Sequence, residues 1–305
     1  ILIGKEKFDH FLNEKDFDCS FGLDEIARFR INLFFDRGKI SCVMRALNSK
    51  IPSFSSIGLP ESVQQLLNRP RGLVLVTGPT GSGKTTTLAS GINWINNNQS
   101  SHILTIEDPI EFNFENKNCL VRQREIGEDT KSYASALRGA LREDPDVILI
   151  GEMRDLETIS LAVTAAETGH LVLGTLHTSS ASQTIDRIID AFPSDQQQQI
   201  RIQLSSSLVG IISQTLCRSK DGERNLAAEI LVNNNAISNL IRESKTSQIY
   251  SQIQIGAKFG MQTLEQSLSG LIKKGLISRE EAFFKCNKNN ILSSLLEAED
   301  SKIEQ

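Results

Sequence analysis

No Cys-x-x-Cys pair occurs among the five cysteines, Cys19, Cys42, Cys119, Cys217 and Cys286, and their number is odd. That scatter supports neither a disulfide framework nor a zinc site, and it suits a reducing cytosol. No apolar stretch approaches the ~18 residues that a membrane-spanning helix needs. Positive charge is not in excess. The chain holds 33 Lys and Arg against 37 Asp and Glu, a formal net charge of −4, so nucleic acid gains no bulk electrostatic attraction. Internal repeats are absent as well. What remains is ordinary for a globular chain: 305 residues, 39% hydrophobic and 23% charged, with about two domains as the prior and enough apolar surface for a large core.

Against that background one segment stands out. Gly78-Pro79-Thr80-Gly81-Ser82-Gly83-Lys84-Thr85 fits G-x-x-x-x-G-K-[ST]. Leu73-Val74-Leu75-Val76-Thr77 before it reads as a buried strand, and the residues from Thr86 onward read as a helix. Strand, glycine loop and helix form the arrangement a phosphate needs: backbone N–H groups curl around its oxygens and the helix N-terminus adds its positive dipole end. The spacing places Lys84 on the β- and γ-phosphates and the Thr85 hydroxyl on Mg²⁺, and it implies that the chain binds a nucleoside triphosphate.

Along the chain, residues 1–50 read as a small α+β unit. Lys5–Leu12 forms an amphipathic helix and Phe17–Leu23 a strand. Ala27–Phe35 and Ile40–Leu47 form a hairpin around Asp36-Arg37-Gly38-Lys39. Period 2 sets Arg28, Arg30 and Asn32 on one face and Phe29, Ile31 and Leu33 on the other. Fifty residues are marginal for an independent core, so further strands are expected upstream. Residues 51–59 read as a linker. In 60–235 strands at Leu73–Thr77, His102–Ile106, Val147–Ile150 and Leu171–Thr175 alternate with helices such as Ser132–Arg142 and Leu156–Thr168, which predicts a mostly parallel sheet covered by helices. Residues 236–296 are helical in pattern, with segments at Ala236–Glu243, Thr246–Ile255 and Thr263–Lys274, and 297–305 is a polar tail expected to fray.

Two acidic segments lie at strand ends, where an α/β sheet places its ligands. In Glu107-Asp108-Pro109-Ile110-Glu111, Glu111 is the candidate base or water-orienting group. In Val147-Ile148-Leu149-Ile150-Gly151-Glu152, Gly151 stands where the usual strand-end aspartate of a Walker B strand would be, so Glu152 must serve the metal or the attacking water. His170 and His177 flank the fourth strand. A lone histidine is more often structural, yet His177 ends its strand at the nucleotide face and is favoured as a γ-phosphate sensor. Arg28, Arg30 and Arg45 cluster on the hairpin, and Arg124 follows Gln123; clustered arginines suggest an anion partner, and a phosphate supplied across a subunit boundary would fit.

Taken together, Gly78–Thr85, Thr-Ile-Glu-Asp-Pro-Ile-Glu-Phe at 105–112, Leu-Arg-Glu-Asp-Pro-Asp-Val-Ile-Leu-Ile-Gly-Glu-Met-Arg-Asp at 141–155 and Thr-Gly-His-Leu-Val-Leu-Gly-Thr-Leu-His-Thr at 168–178 resemble the secretion and type IV pilus ATPases. They match that superfamily's Walker A loop, aspartate box, Walker B segment and histidine box in order. Asn239–Glu243 and Phe259–Leu264 resemble its type IV pilus retraction branch, and the likeness runs from Phe21 to Ser294.

The resemblance implies an α/β fold class: a RecA-like P-loop domain with a helical C-terminal extension, preceded by a partial PAS-like α+β domain. It implies a homohexameric motor that hydrolyses ATP with Mg²⁺ to retract pili and support twitching motility. Such a motor is cytoplasmic and peripheral at the inner-membrane pilus base. An inner-membrane pilus platform protein is its partner, with a PilU-like paralogue as a second, and nucleic acid is not one. ATP then sits between one subunit's RecA-like domain and its neighbour's N-terminal domain. By matching position, Gly78, Pro79, Thr80, Gly81, Ser82, Gly83, Lys84, Thr85 and Thr86 hold the phosphates, and Thr85 and Glu152 serve the metal. Glu111, Glu152 and Lys84 carry the catalysis. His170 and His177 form the histidine box, Arg28, Arg30 and Arg45 reach a nucleotide, and Ala236–Glu243 matches a helical motif tied to retraction. Extension-type relatives carry two C-x-x-C pairs that are missing here, which favours retraction over extension or secretion. An accessory retraction ATPase shares all four boxes, and a DNA translocase or a non-hydrolysing regulator are the readings from other classes.

Overall fold

The computed structural model describes residues 4–23, 27–47 and 50–303. The chain opens with helix α1 (Lys5–Glu14) and strands β1 (Asp16–Leu23), β2 (Ala27–Asp36) and β3 (Lys39–Leu47), which form an antiparallel sheet in the order β1-β2-β3. The β2–β3 turn is short because Arg37 and Gly38 both take positive φ, at 49° and 78°, a backbone twist that matches paired antiparallel strands. Alternation then does what period 2 dictates. Ile31 is buried, while Arg30 faces the other way and lies directly opposite Arg45. Phe11 of α1 is fully buried and stacks on Phe35, with ring centroids 5.2 Å apart.

The remaining elements follow as α2 (Glu61–Leu67), β4 (Gly72–Thr77), α3 (Lys84–Asn98), β5 (His102–Glu107), β6 (Leu120–Glu125), α4 (Tyr133–Ala140), β7 (Val147–Ile150), α5 (Leu156–Glu167), β8 (Leu171–Leu176), α6 (Ala181–Asp190), α7 (Gln197–Ser207), β9 (Leu208–Arg218), β10 (Arg224–Val232), α8 (Asn235–Arg242), α9 (Ile249–Gln254), α10 (Leu264–Lys273), α11 (Arg279–Lys285) and α12 (Asn289–Ile303). A seven-stranded sheet runs β10-β9-β4-β8-β7-β5-β6, parallel throughout except for the antiparallel β9–β10 pair. Every residue of β4, β7 and β8 is buried, which is why these strands read as unbroken apolar runs: helices cover both faces of the sheet.

Three strands go beyond the sequence expectation. Strand β6 (Leu-Val-Arg-Gln-Arg-Glu) is an edge strand with mixed polarity, and β9 and β10 extend the sheet past β4. The tail is a correction. Helix α12 runs to Ile303, so residues 297–303 are helical where a frayed end was expected, because Leu292 and Leu296 are buried one turn apart with Leu264 and Leu268 of α10 and carry the helix onward.

The topology fixes the site. Strands β4, β5, β7 and β8 are parallel, so their C-terminal ends share one edge of the sheet. That edge gathers the loop after β4, Asp108 after β5, Gly151 and Glu152 after β7 and His177 after β8.

Candidate nucleotide site

Residues 78–83 link β4 to α3, and their backbone can be made only with glycine at key positions. Gly78 has φ 142°, and a Cβ there would lie 2.3 Å from the Gln214 carbonyl oxygen and 2.6 Å from Ser82 Oγ. Gly83, at φ 88°, turns the chain into the N-terminus of α3. Gln214 of β9 supports the loop, its Nε2 donating to the Ser82 carbonyl at 2.8 Å. The Ser82 hydroxyl is buried and has no hydrogen-bond partner among the described residues, a donor of the kind a phosphate oxygen satisfies.

Lys84 is buried and its Nζ donates to the carbonyls of Gly78 at 2.8 Å and Pro79 at 3.1 Å, so the ammonium lies across the loop. Burial pulls its pKa below the usual lysine range, and the Glu152 charge works in the opposite direction. Thr85 lines a cavity of about 30 Å³ with Glu107, Phe112, Phe114, Leu149, Gly151 and Thr175. The residues lining it include the buried Glu107 of the aspartate box and not Glu111, which is half-buried. Glu107 accepts from Thr105 Oγ1 at 2.7 Å and Gln123 Nε2 at 3.2 Å, so its carboxylate is held rigidly.

At the end of β7, Glu152 is bound from two sides. Arg154 Nη2 lies 2.6 Å from Glu152 Oε2, and His177 Nε2 lies 3.0 Å from Oε1. Burial opposes the charge of Glu152, but the Arg154 guanidinium and His177 outweigh it and hold the carboxyl below its usual range. The glycine that replaces the strand-end aspartate has a steric reason. A Cβ on Gly151 would come within 3.1 Å of the Tyr133 hydroxyl and 3.2 Å of the Ile106 carbonyl oxygen. Burial, with the charges of Asp108 and Glu152, pushes the Tyr133 hydroxyl well above the usual tyrosine range. Tyr133 and Arg154 therefore join the site without having been expected there. Arg154 sits in the quoted Walker B segment, two residues after Glu152, and that spacing was the available signal; nothing local marks Tyr133.

The two histidines part company. His177 meets Glu152, whereas His170 directly precedes β8 at the opposite end of the sheet, where its Nδ1 lies 2.9 Å from the Ala165 carbonyl and closes the C-terminal end of α5. Arg124 pairs with Glu143 at 2.7 Å and belongs to the packing of β6. On the hairpin, Arg30 is tied to Asp18, which raises its pKa, and Asp108 and Glu111 of the same chain add to that field. Arg45 is exposed, and the Arg28 side chain lies outside the described residues. Within this chain Arg30 pairs with Asp18 of β1.

For a divalent cation, the donors at this edge are the Thr85 hydroxyl and carboxylates, all hard oxygens. Among the described residues no group of three or more His, Cys, Asp or Glu forms a metal cage. That composition fits Mg²⁺, which takes one or two protein oxygens and completes its shell with phosphate and water.

Comparison with known proteins agrees with this geometry. Residues 23–274 match the model of the family described as type II/IV secretion system protein. The type IV pilus retraction ATPase PilT of Pseudomonas aeruginosa is 55% identical over 278 residues, covering 91% of this chain and 80% of that protein. The twitching motility protein of Neisseria gonorrhoeae is 54% identical over 266 residues, covering 87% and 71%. The crystal structure of the pilus retraction motor PilT with bound ADP superposes with a TM-score of 0.90 at 52% identity, over 96% of this chain and 84% of that one. With a family match spanning most of its length and relatives of this similarity, the chain belongs to the type II/IV secretion system protein family.

Proposed function

We propose that this protein is an ATP-hydrolysing motor that drives type IV pilus retraction. The observation that carries the reading is the grouping, on one sheet edge, of a P-loop with its buried Lys84 and a Glu152 held ionised by Arg154 and His177. Similarity to retraction ATPases over nine-tenths of the chain supports retraction as the task.

In this reading the loop 78–83 and the N-terminus of α3 bind the α- and β-phosphates, with Thr86 on the first turn, and Lys84 turns from its own loop carbonyls to the γ-phosphate. Thr85 and Glu152 are the residues that would hold Mg²⁺, which neutralises phosphate charge when bound. Glu152 orients a water whose oxygen attacks the γ-phosphorus as the bond to the bridging oxygen breaks, leaving ADP and inorganic phosphate. Glu111 is the candidate acceptor of the water's proton, and His177, bonded to Glu152, senses the γ-phosphate. Arg28, Arg30 and Arg45 serve the nucleotide from the N-terminal sheet. A homohexamer, a platform protein at the inner-membrane pilus base and a PilU-like paralogue are the assembly and partners this function calls for. The unit boundaries 1–50, 60–235 and 236–296 remain part of the same proposal.

The test is phosphate release by the purified chain assembled with ATP and Mg²⁺. Glu152→Gln should lower kcat by at least about 100-fold while a fluorescent ATP analogue still binds. Equal rates would remove Glu152 from the mechanism. Restoration of twitching by this chain alone in a retraction-null strain separates a retraction motor from an accessory one.

A further inference from the structure

At the sheet edge remote from the P-loop, a cavity of about 460 Å³ opens between the segment leading into β4, the start of β9 and the first turn of α8. Its cations are Arg69, Arg71 and Arg242, and among the described residues no acidic one lines it. None of the three forms an ion pair among the described residues; Arg242 donates only to Asn239 of its own helix.

The walls are fixed in advance. Asn233 Nδ2 donates to the carbonyls of Ser205 at 3.0 Å and Leu208 at 2.8 Å, and Ser238 Oγ donates to Ser205 at 2.9 Å. Behind it the chains pack so closely that a Cβ on Gly72 would lie 2.3 Å from the Val209 side chain and 2.9 Å from the Ser207 carbonyl oxygen. A preformed, cation-rimmed cavity in the ~300–1,000 Å³ range is the size and kind that ligands occupy, and burying it costs little reorganisation.

We propose that this cavity binds an acidic segment of a partner polypeptide, with Arg69, Arg71 and Arg242 taking its carboxylates. Three features select that occupant. Among the described residues no aromatic ring lines the cavity, so a nucleotide base has nothing there to stack on. The helix N-terminus that would grip a single phosphate is already satisfied: Asn234 Oδ1 accepts from Ala236 and Ile237 N–H, each at 3.0 Å. The cations stand on two separate elements, the 69–71 segment and the last turn of α8, which suits several carboxylates spaced along an extended chain. The exposed amide of Asn235 adds a polar partner for that chain's backbone.

The experiment is fluorescence anisotropy of a short fluorescein-labelled peptide of alternating aspartate and glycine, titrated with the full chain. An asparagine–glycine peptide is the control. The acidic peptide should bind, weaken steeply with salt, and lose at least about tenfold in affinity with Arg71→Gln/Arg242→Gln. Lysine at both positions should retain part of it. Binding of a fluorescent ATP analogue should stay unchanged in every variant, which keeps this result separate from the P-loop assignment. Arg69→Gln, on the 69–71 segment alone, repeats the test should the double variant misfold. Equal affinity for the two peptides, or no effect of the arginines, overturns the proposal. So does arginine-dependent capture of phosphatidylglycerol vesicles or inorganic phosphate without the peptide, and so does arginine-dependent self-association that the peptide fails to displace.

Discussion

At Gly151 the chain leaves β7 with no room for a side chain, because the Tyr133 hydroxyl and the Ile106 carbonyl stand where a Cβ would press. Introducing the aspartate common in P-loop proteins should therefore harm this one. Gly151→Asp forces its neighbours apart by a few tenths of an ångström and adds a carboxylate beside the buried Glu107. A cost of about 1–2 kcal/mol follows, a fall in Tm of roughly 2–6 °C, with ATPase activity reduced. Unchanged melting together with faster hydrolysis would show that the glycine is not a steric requirement. The neighbouring pair makes a second test. Arg154 and His177 depress the Glu152 pKa, so the ionised carboxylate persists as pH falls and is lost only on passing through that lowered value. Arg154→Gln should move the acid limb of kcat/KM toward neutrality while leaving the alkaline limb in place. An acid limb that stays where it was would mean that Arg154 does not govern Glu152.

Among the elements, β10 carries a group whose cost shows in stability. Glu229 is buried in that strand and accepts from the Ala181 N–H at 2.7 Å, which anchors the start of α6 just beyond His177 and Thr178. Burial, with Glu265 adding to it, pushes its carboxyl up to about 7 against the pull of the Ala181 N–H and Lys288. The unfolded chain returns it to about 4.3, so between those values the native state binds the extra proton and stability falls as pH rises. The urea midpoint should drop across that window by a ΔG on the order of 2–3 kcal/mol, and Glu229→Gln should flatten the slope. A wild-type slope that survives the substitution would place the titration elsewhere. This strand was illegible in the sequence for a physical reason. β4, β7 and β8 are enclosed by helices and advertise themselves as unbroken apolar runs, whereas β10 carries Glu229 inward and β6 mixes arginine and glutamine at a sheet edge. The site divides in the same way. The P-loop, Glu152 and His177 follow from local order along the chain. Tyr133 beneath Gly151, Glu107 beside Thr85 and the remoteness of His170 depend on which strands become neighbours.

Across the whole molecule, one buried carboxylate joins the N-terminal sheet to the nucleotide edge. Glu125, at the end of β6, accepts from Ser20 Oγ at 3.0 Å and from the Ile110 N–H at 3.0 Å. Ser20 lies beside Arg30 in the register of β1 and β2, and Ile110 adjoins Glu111, so Glu125 ties the arginine-bearing face to the aspartate box. Lys7 with Glu128 adds a second tie from α1, exposed and worth little alone. If the sheet is positioned through Glu125, removing that side chain must loosen both sides at once. Losing these bonds leaves Ile110 N–H buried and unpaired, at a cost of about 1–3 kcal/mol, or roughly a 5- to 150-fold rise in local amide exchange. Glu125→Ala should therefore raise hydrogen exchange in 16–22 and in 108–112 together, whereas exchange through β4 and β8 stays slow because every residue of those strands is buried between helices. Faster exchange confined to 108–112 would mean that the sheet is held by other contacts, and the arginines would then reach the nucleotide edge by a route that does not pass through Glu125.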